Sequence, residues 1–338
     1  MKLPISLIID DPAPVISTFY ESGMSGTSNF PSNKLHHATK DGRPLLKTFP
    51  NEFLDQFCDI IEKWDIRGKY SVIPMPGNKG DIVNGLEGID QAEVKQWLRT
   101  VKDRVAPRFS IGPEMLSHNL AVDLETGKPL ELSEWAWAAT QNRQTLTPYI
   151  AKAFRLLKDA GLESFGVTSP VNFGIQCEDE YAAAISQAVE QVTGRKNAWY
   201  FLRGLRDTPN AKPWVQLEED GRTLVSIPAT TSDVIWQTMD TTESSAEYVS
   251  QVADLLITDD GTKGQIVRVV ETGGYPILIT HWHSLISNGL GTGLRVLEEV
   301  ARRVRKNYAD TLQWMRFEEI MNLVIANKEQ YPKPEFQD

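Results

Sequence analysis

The chain has 338 residues, of which 41% are hydrophobic and 24% are charged, a balance typical of a globular protein with a sizeable core. Its net charge of −10 argues against nucleic acid and anionic membrane surfaces as partners, because both carry dense negative charge. A neutral sugar, or a small amide or ester, remains a suitable substrate.

The first residues predict a strand at 5–9, which is too short to span a bilayer. No signal peptide is visible before it, so we predict a cytoplasmic protein. Two cysteines, Cys58 and Cys177, are far apart in the sequence and cannot form a disulfide framework, which fits a reducing compartment. The sequence carries no signal for a particular oligomeric state.

Short β-rich runs alternate with amphipathic helical stretches along the whole chain. Strands are predicted at 5–9, 70–74, 109–112, 165–168, 199–202, 224–228, 277–280 and 312–316. Helices are predicted at 53–64, 91–101, 147–160, 181–192, 246–257, 294–307 and 318–326. This alternation indicates parallel strands joined by right-handed crossovers. We therefore predict one α/β domain over residues 1–338, a distorted (β/α) barrel with about seven parallel strands.

Two long segments interrupt the alternation, at 12–48 after the first strand and at 113–146 after the third. Long loops that follow barrel strands usually lie at the C-terminal face, where active sites are built. We expect His36 and His37, in the first segment, to be exposed loop residues. The two loops locate the expected site at the C-terminal face of the barrel.

The first predicted strand ends with Asp10 and Asp11. Adjacent strand residues point to opposite faces, but at the end of a strand both side chains can turn toward the mouth of the barrel. Two neighbouring carboxylates repel each other unless a cation or hydrogen bonds compensate. The pair is either part of a site or a solvated start of the following loop.

Glu114 and His118 follow the third predicted strand. If residues 114–118 form a helical turn, these two side chains share one face and can converge on a metal ion. The alternative is a hydrogen bond between the two side chains at the surface.

His281 and His283 lie at the end of the strand predicted at 277–280. A histidine at the C-terminal end of a barrel strand is well placed for acid–base work, because its unperturbed pKa is near neutrality. A buried structural histidine is the alternative. His283 could point away from His281 and orient a loop.

Taken in chain order, these segments resemble the motifs of the polysaccharide deacetylase family, the NodB-homology group of metal-dependent carbohydrate esterases. Its first motif ends a strand with paired aspartates, as Ile8-Ile9-Asp10-Asp11 does. Its second motif has two histidines four residues apart, and Gly112-Pro113-Glu114-Met115-Leu116-Ser117-His118 has this frame with Glu114 in place of the first histidine.

The remaining motifs are matched in part. Val167-Thr168-Ser169-Pro170 keeps the proline of the third motif but lacks its arginine. Asp233-Val234-Ile235-Trp236 resembles the fourth motif, and Ile277-Leu278-Ile279-Thr280-His281 resembles the fifth. The segment Trp314-Met315-Arg316-Phe317-Glu318-Glu319-Ile320 is similar to the one that completes the family's barrel.

The resemblance implies a metal-dependent deacetylase acting on an N- or O-acetylated carbohydrate or a similar amide. Asp11, Glu114 and His118 would hold a divalent metal, with zinc favoured. Asp10 would be the general base and His281 the general acid. The resemblance also implies substrate-binding roles, for Asp233, Trp236, Trp282 and His283, although both tryptophans could equally be core residues.

Two other functions fit the same residues. A metal-free glycoside hydrolase would use paired carboxylates, with Asp10 or Asp11 acting together with Glu114. A non-catalytic carbohydrate-binding protein could keep the fold without the chemistry, since a fold does not determine function. The substitution at Glu114 and the missing arginine keep this last alternative open.

Overall fold

The computed structural model describes residues 2–15, 39 and 41–335. His36, His37 and most of the segment at 12–48 lie outside the described residues.

The described residues form strands that alternate with helices. The strands are β1 (Leu3–Asp10), β2 (Gly68–Val72), β3 (Gly80–Asp81), β4 (Gly85–Leu86), β5 (Phe109–Pro113), β6 (Leu120–Val122), β7 (Pro129–Ser133), β8 (Gly166–Thr168), β9 (Asn197–Phe201), β10 (Trp214–Glu219), β11 (Arg222–Ser226), β12 (Ile277–His281) and β13 (Leu312–Trp314). The helices are α1 (Asn51–Trp64), α2 (Gln91–Thr100), α3 (Glu134–Ala138), α4 (Arg143–Asp159), α5 (Glu178–Thr193), α6 (Ala246–Asp254), α7 (Gln265–Glu271), α8 (Trp282–Ile286), α9 (Thr292–Tyr308) and α10 (Phe317–Ala326). Each strand and helix predicted from the sequence overlaps one of these.

The main strands form two sheets. One has the order β12-β1-β2-β5, with β13 also paired to β1, and all its pairings are parallel. The other has the order β10-β11-β9-β8, in which only β10 pairs antiparallel. The fold is therefore mixed α/β with parallel sheets, as predicted.

The two sheets meet at two places. A parallel bridge joins Glu114, just after β5, to Thr168 at the end of β8. On the other side, the backbone N–H of Thr230 donates to the carbonyl of Ile277 at 2.9 Å. Within the described residues no continuous ladder closes the strands into a ring, so a closed barrel of about seven strands stays a prediction.

Side chains alternate across the sheets, as the strand geometry requires. In β1, Leu7 and Ile9 pack against the cluster that includes α1, α2 and α9. Ile8 instead packs in the space between the two sheets, in a smaller cluster that also contains Trp199 and Phe317. The interior between the sheets is thus apolar at this depth.

Two predicted segments differ from the observed structure. The helix expected to begin at Thr147 begins at Arg143, because the side chain of Asn142 accepts hydrogen bonds from the backbone of Gln144 at 2.9 Å and Thr145 at 3.3 Å, an N-cap that outweighs the signal from Pro148. The segment at 113–146, expected to be a loop, contains β6, β7 and α3.

Candidate metal centre

The carboxyl ends of the parallel strands bring the predicted site residues to one edge. Asp10 ends β1 directly beside His281, which ends β12. Asp11 follows with a φ of 66°, and this left-handed turn directs its side chain toward the same edge as Glu114, which continues from β5. The expectation that both aspartates turn toward the mouth is consistent with this backbone.

Asp11, Glu114 and His118 meet in one buried group. Their candidate donor atoms all lie within 4.8 Å of one another. His118 Nε2 is 3.2 Å from Asp11 Oδ1 and 3.6 Å from Glu114 Oε1. The other oxygen of Glu114, Oε2, accepts a hydrogen bond from the backbone N–H of Asp11 at 2.7 Å. Each carboxylate therefore has one oxygen facing the imidazole.

This arrangement fits a divalent cation. Two donors that each lie 2.0–2.1 Å from a tetrahedral ion are about 3.3–3.4 Å apart, and the distances of His118 Nε2 from the two carboxylates, 3.2 and 3.6 Å, lie on either side of this spacing. Asp11 Oδ1 is buried, and among the described residues it has no hydrogen-bond partner. Buried polar atoms are normally satisfied, so a cation here would satisfy this oxygen.

The turn that carries Glu114 and His118 is not helical, contrary to the prediction. Residues 114–118 contain no helix, and Met115 and His118 have positive φ values of 43° and 53°. Non-glycine residues avoid this region, and such strain persists only where the surroundings enforce it, often at functional sites. The two side chains converge through this strained turn instead of through helical spacing.

Glu134 holds this turn in place. Its side chain is fully buried, and Oε1 accepts hydrogen bonds from the backbone of Leu116 at 3.1 Å and Ser117 at 2.9 Å and from the hydroxyl of Tyr149 at 2.6 Å. Oε2 accepts from the backbone of His118 at 2.7 Å. Sequence analysis missed Glu134, because nothing in its local pattern indicates contact with a turn 16 residues earlier.

We expect Glu134→Gln to destabilise the protein by about 1–3 kcal/mol, the usual cost of a buried donor without a partner. Both side-chain oxygens of Glu134 accept hydrogen bonds from backbone N–H groups. The amide nitrogen of a glutamine is a donor, so in either position it would face another donor. We also expect metal affinity to fall by about 10–100-fold, as for other outer-shell changes. Thermal unfolding and metal titration would measure both effects. Glu131→Gln, at an exposed position of β7, is the matched control; equal effects of the two variants would contradict this role.

The pKa values of the two carboxyl groups in the site are shifted in opposite directions. Burial alone would raise the pKa of Asp11, but the charge of His118 and the hydrogen bond of His283 outweigh burial and hold that pKa well below its usual range. Burial and the neighbouring charges of Asp10 and Asp11 raise the pKa of Glu114 well above its usual range. A cation between the two carboxylates would favour the charged form of Glu114.

Asp10 lies in a polar cluster between the sheets. Lys69 donates a hydrogen bond to Asp10 Oδ1 and is otherwise surrounded by the hydroxyls of Ser71 and Thr168. Ser71 Oγ is 3.3 Å from the same Asp10 oxygen and 2.7 Å from Thr168 Oγ1. Sequence analysis missed Lys69, although a lysine within a buried strand is itself a signal.

His281 is paired with Asp233. Its Nδ1 is 2.7 Å from Asp233 Oδ2, and 28% of its side chain is exposed, compared with 9% for Asp233. Burial alone would lower the pKa of His281. The hydrogen bond to Asp233 and the charges of Asp11 and Asp10 outweigh burial and raise that pKa to about 9. His281 therefore has Asp233 on one side and keeps part of its ring exposed on the other.

The four residues expected to bind substrate have different surroundings. Asp233 accepts hydrogen bonds from His281 and from the backbone N–H groups of Ile235 and Trp236, so it supports His281, and its contact with substrate stays a prediction. Trp282 is fully buried and packs edge-on against Phe53, with ring centroids 4.7 Å apart, which agrees with the core role that the sequence left open.

The remaining two, His283 and Trp236, lie beside Asp11 and His281, respectively. His283 is buried, with Nδ1 3.4 Å from Asp11 Oδ2, so it supports Asp11 and does not point away to a loop. The ring of Trp236 is partly exposed and edge-on to His281, with centroids 5.0 Å apart. Trp236 is thus the expected substrate-binding residue that keeps an accessible ring.

Comparison with solved structures shows a fold shared with one of them. The chain matches a candidate polysaccharide deacetylase from Mycobacterium smegmatis with a TM-score of 0.51 at 13% identity, over 100% of this chain and 99% of the other. A 4-alpha-glucanotransferase from Thermococcus litoralis matches with a TM-score of 0.43 at 12% identity, over 79% of this chain and 35% of the other. The Xyl-CE4 domain of a multidomain xylanase from the hindgut metagenome of Trinervitermes trinervoides matches with a TM-score of 0.38 at 9% identity, over 81% and 86% of the two chains.

No family model and no curated protein matches the sequence. None of the described helices has both the length and the apolar composition needed to cross a membrane.

Proposed function

We propose that this protein is a metal-dependent hydrolase that removes acetyl groups from an N- or O-acetylated carbohydrate. The observation that carries the proposal is the buried meeting of Asp11, Glu114 and His118 beside two further groups suited to proton transfer, Asp10 and His281. A cation site with an adjacent base and acid is the arrangement that metal-assisted acyl hydrolysis requires.

Asp11, Glu114 and His118 would hold the cation, and zinc is the metal that we propose. When bound, such a cation polarises the acetyl carbonyl and makes a coordinated water more acidic. Two carboxylate ligands nearly neutralise the charge of a divalent cation. The pKa of the coordinated water is therefore lowered less than it would be with neutral ligands. Carboxylate donors also suit harder ions such as manganese, which makes the preferred metal a quantity to measure.

Asp10 and His281 would move the protons. Asp10 accepts a proton from the attacking water as the oxygen of that water bonds to the carbonyl carbon. His281 donates a proton to the leaving nitrogen or oxygen as the bond to that carbon breaks, which yields acetate and an amine or alcohol. Because Nδ1 of His281 is engaged by Asp233, Nε2 is the nitrogen that donates.

A carbohydrate is the substrate class supported by the surroundings of His281. The accessible ring of Trp236 lies beside the proposed acid, and aromatic faces are common apolar platforms for ligands. The net charge of −10 also favours a neutral substrate over an anionic one. The shared fold with a candidate polysaccharide deacetylase agrees with this choice.

The rival glycoside hydrolase is disfavoured by burial. Its two carboxyl groups must flank the scissile bond of a sugar. Asp11 and Glu114 are both buried, and Glu114 is bonded to the Asp11 backbone. This pair is arranged to share a cation.

Acetate release from acetylated chitooligosaccharides and acetylated xylan tests the proposal. We expect release by purified protein, loss of release after dialysis against a chelator, and recovery when zinc, cobalt or manganese is added back. Full activity in excess chelator with release of reducing sugar would support the glycoside hydrolase instead. Saturable oligosaccharide binding without acetate release, for every metal added, would indicate the non-catalytic protein.

A further inference from the structure

Lys69 is a fully buried lysine inside the parallel sheet. It is the second residue of β2, and its side chain has no solvent exposure. An ammonium group buried in this way is strongly unfavourable unless it is paired and hydrogen-bonded. A sequence that keeps such a residue in a buried strand therefore spends stability on it, and the partners of Lys69 indicate its purpose.

Those partners use the full donor capacity of the ammonium group. A lysine has three N–H donors, and Lys69 has three oxygen partners, on Asp10, Ser71 and Thr168. The ring of Phe201 lies on another side, with its centroid 4.7 Å from the nitrogen. The ammonium group is thus fixed by strands β1, β2, β8 and β9 together.

The side-chain hydrogen bonds that described residues make to Asp10 are on one oxygen. Among the described residues, the side chains of Lys69 and Ser71 both bind Oδ1, so Oδ2 is the oxygen left to accept a proton. We infer that Lys69 is the positioning residue of Asp10: it fixes the rotamer of that carboxylate and directs Oδ2 toward the water. This inference rests on the proposed function, because it assigns to Asp10 the role of base.

The ion pair also compensates charge. Asp10, Asp11 and Glu114 bring three carboxyl groups to one buried region, where like charges repel. Lys69 supplies a compensating positive charge to Asp10, the carboxylate that is not among the three proposed metal ligands. A single cation between Asp11 and Glu114 therefore does not have to serve Asp10 as well.

A double-mutant cycle of Lys69→Met and Asp10→Asn tests whether Lys69 acts through Asp10. We expect Asp10→Asn to lower kcat/KM by about 10²–10⁴-fold, the usual share of a general base, and Lys69→Met to lower kcat by about 10²-fold with KM little changed. The double variant should be no slower than Asp10→Asn alone, because residues that act as a unit are not additive. Losses that multiply would overturn the inference.

The stability of the variants provides a second readout. Arg303→Met is the matched control, because Arg303 is equally buried and pairs with Asp254 and Glu299 in α6 and α9, away from the site. It should lower Tm without lowering kcat of the folded protein. If Lys69→Met does not fold, the double variant, which leaves no unpaired buried charge, supplies the comparison with Asp10→Asn.

Crystal structures of Lys69→Met and Ser71→Ala separate this inference from the proposed function. We expect Asp10 to change rotamer in the first variant and to keep it in the second. If the wild-type protein releases no acetate, the proposed function fails while this structural comparison still decides the role of Lys69. An unmoved Asp10 in Lys69→Met would overturn the inference.

Discussion

Replacing Asp11 by alanine is expected to abolish both metal binding and acetate release. Asp11 contributes the central carboxylate of the site, with one oxygen 3.2 Å from His118 and the other 3.4 Å from His283. Metal polarisation of a carbonyl is worth several kcal/mol, so its loss corresponds to a rate decrease of about 10³-fold or more. His118→Ala should behave in the same way.

Metal content after exhaustive dialysis, measured by mass spectrometry, checks this prediction independently of activity. Asp207→Ala is the matched control, because the Asp207 carboxylate is 91% exposed and should leave both metal and turnover unchanged. Equal metal content in the wild-type protein, Asp11→Ala and His118→Ala would remove the proposed metal centre.

Replacing His281 by alanine is expected to lower kcat by about 10²–10⁴-fold, the usual contribution of a general acid, while metal remains bound. The ring pairs with Asp233 and does not belong to the group of three cation donors, which is why the two effects should separate. Loss of metal together with turnover would instead identify His281 as a ligand.

The pH dependence gives a sharper test of the same residue. His281 donates only when protonated, so turnover should fall as the pH rises through its pKa. That pKa is raised from 6.5 to about 9 in part by the charge of Asp11, which a bound cation would offset, so the alkaline limb should lie between these values. Asp233→Asn removes the strongest raising influence and should move the limb to lower pH. An unchanged limb in this variant would contradict the assignment.

The sequence was sufficient to locate the proposed site along the chain. Buried parallel strands are continuous apolar runs, and the polar residues that end them stand out, as Asp10, Asp11 and His281 do. Since carboxyl ends of parallel strands share an edge, the convergence of these residues followed from strand prediction alone.

The supporting contacts depend on distances that no local pattern encodes. Lys69 reaches Asp10 from the neighbouring strand, and Glu134 reaches back to the turn at His118 from a helix in a segment predicted to be a loop. The turn itself was misjudged, because a spacing of four residues fits both a helix and the strained backbone that is observed. No motif in the sequence indicated a partner for Asp10, and the structure provides Lys69 from β2.

Glu114 links the site to the architecture of the whole chain. Its backbone N–H donates to the carbonyl of Val72 at 2.9 Å, and it bridges to Thr168 on the other sheet, while its side chain is a cation donor. The backbone bridge thus fixes this donor at the junction of the two sheets, while an ion shared with Asp11 would tie the end of β5 to the end of β1 within one sheet. The ion would therefore act as a mechanical clamp across that sheet as well as a reagent.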